Sequence, residues 1–233
     1  MNSQFELPHD YVAVSQRGVD TRAAFITRTY NHLMGAIVAF TLFEVWIFTS
    51  GLAEPIAAAL MQGSWLLVLG AFMLVSWLAT RTAHTSTSLG AQYAALAAVV
   101  GAYGILFVPL LTVAEQVAPG AIQSAAVVTL LGFAGLTAIA FRTRKDFSFL
   151  GAMLRWVGVL ALLTIVASVL FGLQLGTWFS VGMVAFAGAA ILYDTSTVLH
   201  HYPEDRYVAG ALQLFASVAL MFWYVLQLFM SRD

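Results

Sequence analysis

Long apolar runs separated by short polar breaks make up most of the chain from about residue 30 onward. The alternating segments of roughly ten residues that are typical of a membrane β-barrel do not occur. Most of the runs are close to the roughly 20 residues that a helix needs to cross the hydrocarbon core of a bilayer. We therefore predict seven transmembrane helices, at approximately residues 30–50, 64–80, 91–113, 121–141, 152–172, 178–199 and 207–230.

The breaks between these runs are rich in glycine, proline and hydroxyl residues, which favour turns. They read GLAEP, RTAHTSTS, EQVAPG, RTRKD, GLQLG and HYPEDR in chain order. The polar stretch before the first run lacks strong periodicity and is predicted to be a flexible tail over residues 1–28. Residues 29–233 are predicted to form one transmembrane domain, so the fold class is all-α and polytopic.

Composition agrees with a membrane protein and removes several classes of function. Hydrophobic residues make up 61% of the chain and charged residues 9%, whereas a soluble domain is nearer half apolar and a quarter charged. The net charge of −1 provides no basic field for nucleic acid. The chain has no cysteine, which excludes disulfides and thiol catalysis.

The basic residues predict the orientation of the bundle. Nine of the ten lysines and arginines lie before the first span, after the second, between or beside the fourth and fifth, or between the sixth and seventh. The intervening connections contain none, and only Arg232 departs from the pattern. Because basic residues concentrate on the cytoplasmic side of a membrane, we predict a cytosolic N-terminus and a periplasmic C-terminus.

The sequence contains no motif for a hydrolase, a metalloprotease or a nucleotide-driven motor. Its single lysine, Lys145, lies in a predicted loop. The pair His200 and His201 precedes two acidic residues, but its spacing does not match a metal-ligand pattern, and histidine is favoured near a helix C-terminus. We therefore expect no enzymatic activity, no cofactor and no metal site.

Two carboxylates lie inside predicted spans. Glu44 is placed toward the outer end of the first span, where we expect it to snorkel to the interface. Asp194 lies about 24 Å along the sixth span, and a lone buried carboxylate there has to be water-accessible, hydrogen-bonded or protonated. Either it titrates in function or neighbouring hydroxyls satisfy it. Small residues crowd the same span and predict a place at the middle of the bundle.

Three segments in this order resemble the Bax inhibitor-1 family of seven-helix membrane proteins. They are AAILYDTSTVLHH around Asp194, the loop TRKDFSFLGAML with Arg144, Lys145 and Asp146, and the last span GALQLFASVALMFWYVLQLF. The resemblance covers most of the chain from about Arg28 and implies a seven-helix bundle.

Two branches of that family imply different functions. In the branch of pH-sensitive calcium-leak channels, the aspartate after ILY pairs with a second aspartate on the last helix. Asp194 matches the first acid, but the second position is Ser217. Two like carboxylates can share a proton, whereas an aspartate facing a serine cannot, so the resemblance does not carry the two-acid gate to this chain.

The chain is more similar to the bacterial YccA-like branch, in which the last helix also carries a serine. That resemblance implies a multi-pass inner-membrane protein that modulates, inhibits and is degraded by the membrane AAA+ protease FtsH, gripped by its cytosolic tail. The alternative is a calcium, other cation or proton leak with Asp194 as the titrating gate. In both cases we expect Asp194 and Ser217 to approach each other, with Tyr193 and Thr195 as a supporting polar shell.

Overall fold

The computed structural model describes residues 13–143 and 145–231, and within these residues all regular secondary structure is helical. A short 3-10 turn precedes eight α-helices. The 3-10 turn is Val14–Gln16, and the helices are α1 Val19–Thr49, α2 Ala53–Gln62, α3 Trp65–Thr85, α4 Leu89–Val117, α5 Ala121–Thr143, α6 Leu150–Phe171, α7 Thr177–His200 and α8 Tyr207–Met230.

Seven of these helices are long and apolar enough to cross a membrane, and they correspond to the seven predicted spans. The polytopic all-α fold is therefore confirmed. The exception is α2, whose ten residues extend only about 15 Å. Its sequence was taken for a loop because Pro55 usually breaks helices. Pro55 is the third residue of α2, where a backbone N–H has no partner within the helix, so proline is tolerated there.

The first and third helices are longer than predicted. α1 begins at Val19 rather than at residue 30, so the boundary drawn at residue 28 lies inside a helix. α3 continues to Thr85, five residues beyond its predicted end. Residues 1–12 lie outside the described residues, and the division into tail and transmembrane domain stays a prediction.

The helix at the centre of the bundle is α8, so the prediction that the sixth span lies there was wrong. In α8, 78% of the most apolar window is buried, against 44% in α7 and 6% in α6. α8 packs against α1, α3, α4, α5 and α7. The small residues of α7 bring it close to this central helix, as at Gly188, where an added Cβ would lie 3.6 Å from Met221 of α8.

Four segments meet at one end of the bundle, which we call the basic end. They are the start of α1 and the α3–α4, α5–α6 and α7–α8 connections. The Arg206 guanidinium donates to the Ser86 carbonyl and links the α7–α8 connection to the α3–α4 connection. His201 pairs with Asp146 across 3.0 Å and links the α7–α8 connection to the α5–α6 connection. The remaining connections lie at the opposite end.

Candidate functional site

Asp194 lies in the last two turns of α7 and is buried against α8, with 4% of its surface exposed. Its Oδ2 accepts a hydrogen bond from the Ser217 hydroxyl. Its Oδ1 accepts one from Gln213 Nε2 at 2.6 Å. Asp194 and Ser217, which the sequence led us to expect near each other, are thus in direct contact. Both carboxylate oxygens are satisfied by neutral donors on one neighbouring helix.

Gln213 is the partner that sequence reasoning missed. It precedes Ser217 by four residues on α8, and residues at this spacing share one face of a helix. The same face therefore presents an amide and a hydroxyl to the carboxylate. The spacing was visible in the sequence, but it gained meaning only once Ser217 was matched to Asp194.

A chain of hydrogen bonds extends from Asp194 to the surface at the basic end. The Tyr202 phenol donates to Gln213 Oε1 at 2.5 Å. His84 Nε2 lies 2.7 Å from the same phenol oxygen, and His84 Nδ1 lies 2.8 Å from the Thr80 carbonyl. His84 is exposed, so three linked contacts connect an exposed imidazole with the buried carboxylate.

The direction of these hydrogen bonds depends on where a proton resides. The Thr80 carbonyl can only accept, so His84 Nδ1 carries a hydrogen. If Nε2 also carries one, it donates to Tyr202, which donates to Gln213, which donates to an ionised Asp194. If the proton resides on Asp194 instead, every bond reverses once the Gln213 amide rotates. Both arrangements give every donor in this series of hydrogen bonds an acceptor.

The two residues expected to support this pair lie elsewhere. The ring of Tyr193 packs against α6, and its Cε2 is 2.9 Å from the position that a Cβ would occupy at Gly151. Thr195 is fully buried, and its hydroxyl faces the Tyr30 phenol of α1 without a well-formed hydrogen bond. Neither side chain hydrogen-bonds to Asp194, so a role for them in a shell around it stays a prediction.

The loop between α5 and α6 is fastened to the end of α7. Ser196 Oγ accepts a hydrogen bond from the Phe147 N–H at 2.8 Å and lies 3.5 Å from the Lys145 carbonyl. Asp146 accepts from the Ser148 N–H at 2.9 Å and pairs with His201. The side chain of Lys145 is exposed, and Arg144 lies outside the described residues.

These contacts change the acidity of Asp146. Its partial burial acts to raise the pKa of the carboxyl group, but the hydrogen bonds from Ser148 and His201 outweigh that effect. The pKa of Asp146 is therefore held below its ordinary value of 3.8, because hydrogen bonds to the ionised form favour it.

The segment before α1 also reaches the α7–α8 connection. The Val14 N–H donates to the Tyr202 carbonyl at 2.8 Å, and the Ser15 hydroxyl donates to the His200 carbonyl at 2.7 Å. Val14 is fully buried. The N-terminal segment is thus bound directly beside the tyrosine that belongs to the hydrogen-bond chain.

Glu44 does not snorkel, contrary to the expectation from its position in the sequence. Only 7% of its surface is exposed, and neither carboxylate oxygen has a hydrogen-bond partner among the residues that the structure describes. Its Oε1 faces Gly104 of α4, where an added Cβ would lie 3.6 Å away. The close approach of α1 and α4 at this glycine turns the carboxylate into the bundle.

Comparison with known proteins gives a family match over nearly all of the chain. The model of the family described as inhibitor of apoptosis-promoting Bax1 matches residues 22–233. This range includes all eight helices from the fourth residue of α1 onward, and it includes Asp194 and Ser217.

Individual relatives match over shorter regions. An uncharacterized protein of Pseudomonas aeruginosa is 40% identical over 112 residues, which are 46% of this chain and 49% of the relative. The Escherichia coli protein named modulator of FtsH protease YccA is 34% identical over 108 residues, 45% and 49% of the two chains. Mouse protein lifeguard 3 is 26% identical over 133 residues, 52% and 42%. The chain spans about half the length of the curated relatives that it matches.

Proposed function

Because the chain belongs to the Bax inhibitor-1 family, we propose that it is a bacterial inner-membrane protein that binds and modulates the membrane AAA+ protease FtsH. The observation that carries this proposal is the similarity to the relative named as a modulator of that protease. Our proposal includes the protein's own degradation by FtsH and its inhibition of the protease toward other substrates. The role is regulatory and needs no catalytic residue.

The N-terminal segment supports this proposal by its position. An ATP-driven protease needs an accessible stretch of chain to start unfolding a membrane substrate. Residues 1–12 precede the bound segment at Val14 and Ser15, and with the proposed orientation they emerge on the cytosolic side. The hydrogen bonds of Val14 and Ser15 to Tyr202 and His200 hold the start of the described chain beside the α7–α8 connection. We infer that release of the segment exposes it to the protease.

Deletion of residues 1–12 tests this role of the tail, since it leaves the 3-10 turn and α1 intact. We expect the deleted protein to persist in membranes several times longer than the full chain in the presence of active FtsH. The measurement is a pulse-chase of both proteins, with a protease-deficient strain as reference. A replacement of residues 1–12 by a shuffled sequence of the same composition is the matched control.

The shuffled control should be degraded at the normal rate, because composition and length are retained. If the deleted protein disappears as fast as the full chain, the tail is not the segment that the protease grips. A pull-down of FtsH from native membranes then separates binding from degradation. If the full chain retains no FtsH, the proposed modulation itself is wrong.

A second candidate function is a proton or cation leak, including calcium, with Asp194 as the titrating gate. The specific observation in its favour is the hydrogen-bond chain between exposed His84 and buried Asp194. Histidine changes charge between about pH 5 and 8. Tyr202 of the α7–α8 connection and Gln213 of α8 form the middle of this series of hydrogen bonds, and Ser217 of α8 donates to its carboxylate end.

Flux assays in liposomes test this alternative. We expect the full chain to release protons or calcium at a rate that depends on pH between 5 and 8, and Asp194→Asn to abolish the pH dependence. His84→Gln should shift or flatten the same profile, because it removes the exposed end of the hydrogen-bond chain. Glu204→Gln is the control, because Glu204 is an exposed acid in the α7–α8 connection. Absence of flux from the full chain would rule out the leak.

A further inference from the structure

Glu44 is a buried carboxylate for which the described residues supply no counter-ion. The described lysines and arginines lie in the half of the bundle at the basic end, and the nearest on the same helix is Arg28, about 24 Å away along α1. Neither ion pair in the described part of the chain involves Glu44. An isolated charge in an apolar interior is unfavourable by several kcal/mol unless it is paired or neutralised.

Glu44 lines a cavity of about 250 Å³ that is bounded by α1, α4, α5 and α8. Thr129 of α5 lines the same cavity, is 2% exposed, and has a hydroxyl without a hydrogen-bond partner in the described structure. Thr41 of α1 also lines it, and its hydroxyl donates to the Ile37 carbonyl, so its oxygen remains free to accept. Three side chains with acceptor oxygens thus border one space, and the oxygens of Glu44 and Thr129 are buried in its wall.

The remaining wall of the cavity is apolar and aromatic. The rings of Phe40, Phe215 and Phe222 line it. α1 and α5 meet near the basic end, where Tyr30 packs against Phe141 at 5.8 Å between ring centroids. Further along, the cavity separates the two helices, and its rim carries Val45 and Leu130, which are exposed on the lipid-facing surface. The cavity therefore has a side opening toward the bilayer.

We propose that this cavity binds a small lipophilic amine in its protonated form, with the ammonium group on Glu44 and Thr129 and the hydrocarbon body among the phenylalanine rings. One carboxylate balances one positive charge. An ammonium group supplies the donors that the carboxylate and the threonine oxygens lack, and aromatic faces attract cations. The neutral amine enters from the hydrocarbon through the opening between α1 and α5 and takes the proton of the Glu44 carboxyl group, which leaves an ammonium–carboxylate pair.

The size and lining of the cavity favour an organic cation over a metal ion. Calcium takes six to eight oxygen ligands, whereas this wall offers one carboxylate and two hydroxyls. The volume equals that of several liquid waters at about 30 Å³ each, far more than a bare ion fills. Most of the wall has no polar atom that would hold water in place.

Binding of hexylammonium and of neutral hexan-1-ol to the purified full chain in lipid nanodiscs tests the site. The two probes have the same hydrocarbon body and differ in charge. We expect hexylammonium to bind the full chain at least about tenfold more tightly than hexanol, because hydrogen bonds between two charged groups are stronger than those from a neutral hydroxyl. Calorimetric titration measures both dissociation constants.

Two variants locate the contact. Glu44→Gln keeps the shape of the side chain and should weaken hexylammonium binding at least about tenfold while leaving hexanol unaffected. Thr129→Val keeps the charge of Glu44 and should weaken hexylammonium binding by a smaller factor. Glu115→Gln changes an exposed glutamate outside the cavity, near the end of the bundle that lies opposite the basic end. It should change neither the hexylammonium nor the hexanol dissociation constant.

Equal affinity of the two probes for the full chain would overturn the proposal and assign the cavity to hydrocarbon such as a lipid acyl chain. Unchanged amine affinity in Glu44→Gln would overturn it as well, because Glu44 would then be a neutral acid with no ligand. If Glu44→Gln does not fold, the hexylammonium affinities of Thr129→Val and Glu115→Gln are compared instead. A weaker affinity in Thr129→Val alone supports the site, and equal affinities overturn it. These measurements do not involve FtsH, so the binding site and the proposed function are tested separately.

Discussion

At the scale of single residues, the partners of Asp194 decide what this carboxylate can do. A serine hydroxyl and a glutamine amide both donate to it, so the ionised form is satisfied without a second acid. A carboxylate at position 217 would instead compete for one proton. The residue at 217 therefore distinguishes a fixed hydrogen-bonded anchor from a two-acid titrating pair.

Ser217→Ala should lower the free energy of unfolding by about 2 kcal/mol, because it removes a hydrogen bond to a buried charged group. Ser180→Ala is the matched control, since Ser180 donates to the neutral amide oxygen of Gln227 at 3.1 Å on the same helix pair. Its loss should reduce stability by about 1 kcal/mol. Chemical unfolding in mild detergent measures both. Equal losses would mean that the Asp194 contact has no charge-assisted strength.

Asp146 predicts an acid-sensitive loop. Its pKa is lowered in the folded protein, so the stabilisation that it provides is present above the ordinary pKa of 3.8 and is lost as pH falls through the lowered value. Asp146→Asn should reproduce that loss at neutral pH. Hydrogen exchange at the Ser148 amide, corrected for intrinsic rates, should become faster in the variant. Glu204→Gln should leave this exchange unchanged, and unaltered protection in Asp146→Asn would show that the negative charge of Asp146 is not needed to hold the loop.

At the scale of helices, the packing of α1 on α4 depends on one glycine. A Cβ at Gly104 would lie 2.4 Å from the ring of Phe43, which is closer than two non-bonded carbon atoms can approach. Gly101 lies three residues earlier on α4 and has no neighbour within 4 Å of such an atom. The two positions differ in environment while sharing a helix and a residue type.

Gly104→Ala should therefore destabilise the bundle by about 1–3 kcal/mol through overpacking. Gly101→Ala should be neutral or slightly stabilising, because alanine is the better helix former. Thermal unfolding of both variants in the same detergent measures the difference. A Gly104 variant as stable as the Gly101 variant would mean that Phe43 rotates away without loss. The orientation of Glu44 would then not depend on this contact.

The seven spans could be predicted because each is a long apolar run that length alone identifies. The short α2 was missed because Pro55 reads as a turn unless its position in the first helical turn is known. Gln213 was within reach from its spacing to Ser217. His84 and Tyr202 were not, because they are 118 residues apart in the chain. Glu44 was misplaced because depth along a helix does not reveal which face meets a neighbour.

At the scale of the whole molecule, the four segments at the basic end are connected by side-chain contacts. Arg206, His201 and the bound segment at Val14 and Ser15 join connections that are remote in sequence. A structural change in one connection at the basic end therefore alters contacts with the other connections there.

The orientation of the molecule can be tested with single cysteines, because the chain has none. Ser64 lies in the exposed connection between α2 and α3, and Ser88 lies in the exposed connection between α3 and α4. In intact cells, a membrane-impermeant maleimide should label Ser64→Cys and leave Ser88→Cys unlabelled until the inner membrane is opened. The reverse pattern would invert the proposed topology and place the N-terminal segment out of reach of a cytosolic protease.

The central position of α8 has a consequence for how the protein is made. This helix follows the other six spans in the sequence, so the ribosome synthesises it after them. Until α8 packs between them, α1, α4, α5 and α7 surround a space that has no native occupant, and the carboxylate of Asp194 has neither Ser217 nor Gln213. A chain truncated before residue 207 is therefore a bundle without its central helix and with an unsatisfied acid, which is the kind of species that a membrane quality-control system removes.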